Sequence, residues 1–344
     1  MKDIQSFEIE EIINNLGDLN SNFEGKTVLV LGCGGFLGHL FTKYFLKVGS
    51  KVIGVDNFVI GLPKININNP NFTFLNHDVC QQLFDKLHGE KIDYVINACG
   101  IADPKIYSKY PVECMDISYI GTKNVLQFIR EKNVKSSVFF SSSEIYGDPF
   151  PEFIPTKEDY NGNCPTTGAR SMYDEGKRIL ETACSVYSKM YGVNVKVVRP
   201  FNTYSSFMSL KDNRILPSCM RKILEKSPIT LFSPASETRT FCYATDFING
   251  VIRILLSQND IFEIYNCGND TPEISMKDLA ELVVKVTGTN YGIEIVDPPK
   301  VYKIQPQRRC PDITKLKTLG YSPEVTLEEG ISRYYSWAKD NYKL

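Results

Sequence analysis

The apolar run Thr27-Val28-Leu29-Val30-Leu31-Gly32 passes directly into Cys33-Gly34-Gly35-Phe36-Leu37-Gly38 and then into a stretch with helical spacing that stops at Gly49. A short strand that is apolar on both faces belongs inside a parallel sheet, which few folds provide. Gly32, Gly35 and Gly38 form G-x-x-G-x-x-G at the junction of strand and helix. Glycines there permit a tight turn, let the backbone approach a pyrophosphate, and leave its charge at the N-terminus of the following helix. Asp56 ends the next strand, KVIGVD, 24 residues after Gly32. A carboxylate at that place accepts hydrogen bonds from an adenosine ribose diol and repels a 2′ phosphate, so the pattern predicts NAD in preference to NADP. The following Asn57-Phe58-Val59-Ile60-Gly61-Leu62 holds no Lys or Arg for such a phosphate. Asp78, at the end of FTFLNHD, has two readings: it reaches the adenine edge, or it caps the segment after it.

FTFL, DYVINA, SSVFFSS and VKVVRP repeat the short-strand pattern, with helical stretches between them. Strands alternating with helices predict an α/β fold, a doubly wound Rossmann-type parallel sheet with its ligands at the strand C-termini. Beyond Pro200 the pattern loosens. ILPSCMRKIL, TDFINGVIRILL and MKDLAELVVKV read as helices, PITLF and EIYNC as strands, which predicts a smaller mixed α/β substrate domain. The expected division is an N-terminal helical extension over 1–24, a dinucleotide-binding domain over 25–200, and a second domain over 201–344 with segments returning to the first. In the extension Ile4, Phe7, Ile12, Ile13 and Leu16 share one helical face, for packing on the body or for an oligomer contact.

Composition excludes several classes. Lys plus Arg number 39 and Asp plus Glu 40, so no basic surplus exists for a broad nucleic-acid footprint. No apolar run of about 18 residues occurs, and the acidic, periodic N-terminus lacks a signal-like stretch, so a cytoplasmic protein with no membrane partner is expected. The 10 cysteines form no CxxC pair and are expected to be mostly buried small hydrophobes. His39, His77 and His88 lack zinc-ligand spacing, and no metal is expected.

Tyr173 and Lys177 form Y-x-x-x-K in a helical segment, where an i, i+4 spacing puts both on one face. An ammonium near a phenol favours phenolate and is expected to lower the tyrosine pKa, fitting it for proton transfer. Ser141-Ser142-Ser143-Glu144 follows the strand VFF, at the edge of the sheet where a hydroxyl can share a proton with Tyr173.

The pieces GCGGFLG, VDNFVIG, NHDV, SSEIYGDP, YDEGKR, RPFNTY, SETRTFCYATD and RRCPDI occur in that order over about residues 26–340. By them the chain resembles the extended short-chain dehydrogenase/reductases of the NAD-dependent epimerase/dehydratase group, and within it most resembles the UDP-glucuronate decarboxylases (UDP-xylose synthases). The resemblance implies an NAD site lined by Gly32, Gly35, Phe36, Leu37, Gly38, Asp56, Asn57, Phe58, Asp78 and Val79, together with Tyr173 and Lys177. It implies a catalytic set of Ser142, Tyr173 and Lys177, with Glu144 and Arg239 as the additional decarboxylase residues. Asn202 and Arg309 match contacts to the nucleotide-sugar phosphates, beside Glu144, Tyr173 and Arg239 at the sugar. Bland alternatives stand next to these: Glu144 capping a loop, Arg239 in a surface ion pair, Asn202 bracing a turn. The implied reaction starts with oxidation at sugar C4 and continues as decarboxylation of UDP-glucuronate to UDP-xylose. 4-Epimerisation, 4,6-dehydration and 4-dehydrogenation share its first step, and a non-catalytic NAD-binding scaffold is the reading of another class. The resemblance also implies a homodimer formed through the helices near 111–132 and 173–191. The chain departs from the family pattern at Ser118, where asparagine is usual, at Tyr204-Ser205-Ser206, and in the Ala98–Pro104 loop. Asp103 in that loop is expected to be a poor neighbour for a substrate carboxylate.

Overall fold

The computed structural model describes residues 3–59, 65–82, 87–299 and 306–342; Ile60, Gly61 and Leu62 lie outside them. The first predicted strand, β1 (Thr27–Leu31), sits inside a seven-stranded, all-parallel sheet. β2 (Lys51–Asp56) and then β3 (Phe72–Asn76) lie on one side of it. On the other side follow β4 (Tyr94–Asn97), β5 (Ser136–Phe140), β6 (Val195–Pro200) and, at the far edge, the strand Phe262–Cys267. The order reverses between β1 and β4, which opens the crevice where doubly wound sheets bind ligands.

Alternation along β1 decides the layers. Val28 and Val30 face Phe41 and Phe45 of α2 (Phe36–Lys47) and Phe247 and Val251 of the helix Ala244–Leu256. Leu29 and Leu31 face the opposite side, with Val125 and Leu126 of α5 (Thr122–Lys132) and Leu180 and Cys184 of α6 (Ser171–Tyr191). Between these lie α3 (Pro104–Lys109), α4 (Pro111–Asp116) and a π-helical turn, Ile117–Gly121. β3 is an edge strand, with Phe74 exposed. Beyond Pro200 the predicted helices Ile215–Leu224 and Met276–Thr287 pack with Leu327–Asn341 around the parallel pair Ile229–Phe232 and Ile293–Val296. The strand Phe262–Cys267 returns to the main sheet beside β6.

α1 (Ile4–Leu16) is docked on the body, with Ile9, Ile12 and Leu16 in the same core as the helix Ala244–Leu256. Its buried face differs from the expected one: Phe7 is exposed and Glu8 is fully buried, receiving a hydrogen bond from the Tyr243 hydroxyl. Among the described residues no helix is long and apolar enough to cross a membrane.

Candidate active site

The glycine loop needs its glycines for close approach. A Cβ on Gly38 would lie 2.0 Å from the Gly32 carbonyl oxygen, and one on Gly32 would lie 2.9 Å from the Ala98 carbonyl. Gly32 also has φ of +77°, the left-handed region. Asp56 braces this loop: its carboxylate accepts from the Gly34 amide at 2.9 Å and the Phe58 amide at 2.8 Å. The Asp78 carboxylate closes a local turn, accepting from the Cys80 amide at 2.8 Å. Val79 is buried in the core, and its carbonyl accepts from Asn124.

From Phe36 and Leu37 a cavity of about 420 Å³ runs along the C-terminal edge of the sheet to Arg309. Ser142, Glu144, Tyr173, Lys177, Asn202 and Arg239 all line it. β5 delivers the first of these. Where the strand ends, Ser142 caps the short turn Ser143–Tyr146, its hydroxyl accepting from the Glu144 amide at 3.1 Å. α6 presents Tyr173 and Lys177. The Lys177 ammonium donates to the Phe140 carbonyl at 2.7 Å, tying α6 to the end of β5.

The electrostatics differ from the local expectation. Burial pushes the Tyr173 phenol above its ordinary value, and the Glu144 charge adds to that; a hydrogen bond with the Ser142 hydroxyl acts the other way. The net direction is thus opposite to the one the Lys177 spacing suggested. The Lys177 ammonium is turned to a backbone carbonyl, and burial depresses its own pKa. Glu144 shows the opposite balance. Burial favours its neutral form, but Arg170, Arg309 and Arg239 outweigh it and bring the carboxyl down to about 2. Arg170 and Arg309 both donate to the Glu144 carboxylate directly. Arg239 reaches it through charge only, while its guanidinium donates to the Thr238 carbonyl at 2.7 Å. Burial and the Arg309 charge lower Arg239 to about 10, so it stays cationic at neutral pH.

Arg239 and Arg309 stand side by side because the two-residue strands Thr238–Arg239 and Arg308–Arg309 pair in parallel with these residues in register. Direct partners on neighbouring strands share a face, so two like charges are forced together and Glu144 lies against them. The Asn202 amide bonds the Thr240 carbonyl at 3.0 Å, the bracing role, and still lines the cavity.

Two neighbours of Tyr173 escaped the sequence reading. Arg170 precedes it by three positions, and a cation one turn before the tyrosine was the available signal. Tyr107, from α3, stacks on Tyr173 with ring centroids 5.2 Å apart and is 1% exposed, with its hydroxyl unpartnered at the cavity wall. No spacing links a residue of α3 to one of α6.

The departures also resolve. Asp103 caps α3 by accepting from the Lys105 amide, and its other oxygen accepts from the Asn213 side chain at 2.8 Å. Its carboxylate thereby joins two cavity-lining loops. The Ser118 hydroxyl donates to the Cys114 carbonyl at 2.7 Å inside the π-helical turn and packs on Gly176 of α6.

The model of the NAD dependent epimerase/dehydratase family matches residues 28–268. The chain belongs to that family. The NAD dependent epimerase/dehydratase enzymes it resembles in sequence include UDP-glucuronic acid decarboxylase 1 of Danio rerio, 34% identical over 91% of this chain and 72% of that one. UDP-glucuronic acid decarboxylase 6 of Arabidopsis thaliana is also 34% identical, over 91% and 89%. In structure the chain is similar to an epimerase from Methanothermobacter thermautotrophicus, with TM-score 0.84, 23% identity and coverage of 94% and 95%. It is also similar to a UDP-glucuronic acid 4-epimerase from Bacillus cereus in complex with UDP-glucuronic acid and NAD, with TM-score 0.79, 24% identity and coverage of 92% and 100%. These two likenesses establish the shared fold. As a member of this family the protein is an NAD-dependent enzyme. Its residues fit that cofactor: Gly32 and Gly38 lack the Cβ that would collide with backbone in the tight turn before α2, and the Asp56 carboxylate lies beside that turn.

Proposed function

We propose that this enzyme oxidises C4 of UDP-glucuronate, removes the sugar carboxylate as carbon dioxide and returns UDP-xylose. One observation carries the reading from oxidation to decarboxylation. Arg170, Arg309 and Arg239 surround the single carboxylate of Glu144 in a cavity wall shared with Tyr173. That cluster holds more positive than negative charge, which suits a substrate that is itself a carboxylate. The names of the relatives that align over 91% of the chain support the same substrate.

The residues divide the work as follows. Ser142 bonds the Tyr173 hydroxyl, whose phenolate form accepts the C4 hydroxyl proton, while Lys177 pins α6 to the end of β5. NAD, which the loop carrying Gly32 and Gly38 would hold together with Asp56, would supply a reversible hydride acceptor, so no net oxidant would be consumed. Oxidation makes the substrate a β-keto acid, whose carboxylate leaves with its electrons delocalised into the ketone. The arginine cluster stabilises the resulting enolate. Glu144, held ionised, orients Arg170 and Arg309; it is too acidic to supply the proton at C5, which water then brings. Arg239, whose guanidinium is not bonded to Glu144, keeps the post-oxidation role, and Arg309 keeps the phosphate contact while it fixes the Glu144 carboxylate. A 4,6-dehydratase needs an acid for its departing hydroxyl, and Ser143 at the cavity wall is a poor one.

The reading includes a homodimer. Val112, Met115, Tyr119 and Ile120 before α5, with Val186 and Met190 on α6, form an exposed apolar surface on adjacent helices. Exposed apolar side chains on helices packed together favour burial against a second copy.

The test is incubation with a panel of nucleotide sugars followed by mass spectrometry. Loss of carbon dioxide from UDP-glucuronate is expected. Loss of water or of two hydrogens, or a change of stereochemistry alone by NMR, would replace decarboxylation with dehydration, dehydrogenation or epimerisation.

A further inference from the structure

Glu181 and Arg199 take no part in the steps above, yet they form a buried ion pair directly beneath them. Arg199, on β6, grips Glu181 of α6 with both arms of its guanidinium, Nε to Oε1 at 2.9 Å and Nη2 to Oε2 at 2.7 Å. A forked pair of this kind fixes direction as well as distance.

The remaining bonds of the pair converge on one segment. Glu181 Oε1 also accepts from the Ser141 hydroxyl. Arg199 Nη1 also donates to the Tyr146 hydroxyl at 2.6 Å and to the Glu158 carbonyl at 2.8 Å. Ser141 and Tyr146 flank Ser142, Ser143 and Glu144, so one ion pair holds both ends of the catalytic turn. Tyr146 passes the constraint on. Its hydroxyl donates to Asn266 Oδ1 at 2.7 Å, and Asn266 Nδ2 donates to the Asp312 carbonyl at 3.0 Å, three residues beyond Arg309.

The helix side is equally constrained. Tyr173, Lys177 and Glu181 follow at i, i+4 and i+8, one stripe of α6. Lys177 bonds the Phe140 carbonyl and Glu181 bonds Ser141, the next residue, so successive turns of α6 are pinned to successive residues leaving β5.

We propose that Glu181 and Arg199 are positioning residues for the reaction, setting Ser142 against Tyr173 at one end of the turn and Glu144 against Arg309 at the other. The proposal rests on the reading that Tyr173 begins the reaction by C4 oxidation. It goes beyond that reading in naming what places the Ser142 hydroxyl.

Glu181→Gln, Arg199→Lys and the milder Tyr146→Phe test it, each compared with wild type for NAD binding and for transient NADH formation from UDP-glucuronate across pH. Glu181→Gln and Arg199→Lys are expected to bind NAD within about twofold of wild type while hydride transfer falls by about 10²-fold, the penalty of a displaced reacting group. KM should change much less than kcat. The pH limb of hydride transfer should move upward, because a displaced Ser142 no longer lowers the Tyr173 phenol. Tyr146→Phe should show the same changes on a smaller scale. Wild-type rates and an unmoved limb in folded variants overturn the proposal. So does a loss of rate that only tracks loss of folded protein, with the limb unmoved in what remains. If neither charge variant folds, an unmoved limb in Tyr146→Phe is decisive against it. A wild type that forms NADH only with another nucleotide sugar overturns the substrate assignment instead, and the variants are then compared on that sugar. A wild type that oxidises none overturns both.

Discussion

The Arg309 guanidinium donates to the Glu144 carboxylate across 165 positions of chain, while Arg239, its register partner on the neighbouring strand, bonds a backbone carbonyl instead. Two arginines on one face of a ribbon thus have unequal access to the same acid.

That inequality gives the first prediction. Arg239→Ala should slow carbon dioxide release from UDP-glucuronate by about 2.7–4 kcal/mol of barrier, by analogy with removal of one oxyanion donor. Arg309→Ala, whose partner is Glu144, should slow it less. NADH formation, which precedes the step, should change little in either. The two rates are read by trapping carbon dioxide and following NADH absorbance on the same samples. Equal effects of the two substitutions on both rates would contradict the assignment.

The second concerns Tyr173. Tyr173→Phe keeps the ring stacked on Tyr107 and deletes the transferable proton. NAD binding should persist, and C4 oxidation should fall by about 10²-fold or more. Since burial raises the wild-type phenol, its hydride-transfer rate should climb as pH rises through the neutral range. Stopped-flow NADH traces from pH 6 to about 10 check both statements.

The third concerns the dinucleotide loop. Gly38→Ala places a methyl 2.0 Å from the Gly32 carbonyl oxygen, an overlap that only backbone movement can relieve. NAD affinity should be largely lost. Asp56→Ala should weaken NAD and narrow its preference over NADP, and it also frees the Gly34 and Phe58 amides. Fluorescence titration of both dinucleotides measures this; a wild type that binds NADP as tightly as NAD refutes the role of Asp56.

The fourth is a pH effect on stability. Burial raises the Glu8 carboxyl from its ordinary value to about 7, although the Tyr243 and Arg333 contacts oppose it. A carboxyl whose folded pKa is raised is stabilising relative to the charged form below its unfolded pKa, and that contribution disappears as pH rises through about 7. Between pH 5 and 8 the wild type should therefore lose roughly 1–3 kcal/mol relative to Glu8→Gln, whose side chain does not titrate. Thermal melts of both proteins at the two pH values give the difference. A constant gap would show that Glu8 does not titrate in this window.

The strand-glycine-helix junction, the acidic end of β2, the six strands from β1 to β6 and the Tyr173–Lys177 pair were all legible in the sequence, because each depends on a backbone period that acts within a few residues. The strand Phe262–Cys267 was legible as a strand, but its place at the edge of the main sheet came from the fold. The same division runs through the active site. Spacing put Lys177 near Tyr173, but the Lys177 ammonium points to Phe140 and burial sets the phenol, since desolvation depends on everything packed around the group. Asp103 read as a charge near the sugar, and only the fold showed its bond to Asn213, 110 positions away. Tyr107, Glu181 and Arg199 gave no pattern that marked them, and Arg170 only its place one turn before Tyr173, because their partners lie on other elements. The sequence by itself determined which local units form and which chemistry they carry. Only the tertiary structure decided which charges meet, because that depends on the register between segments distant along the chain and on the water their packing excludes.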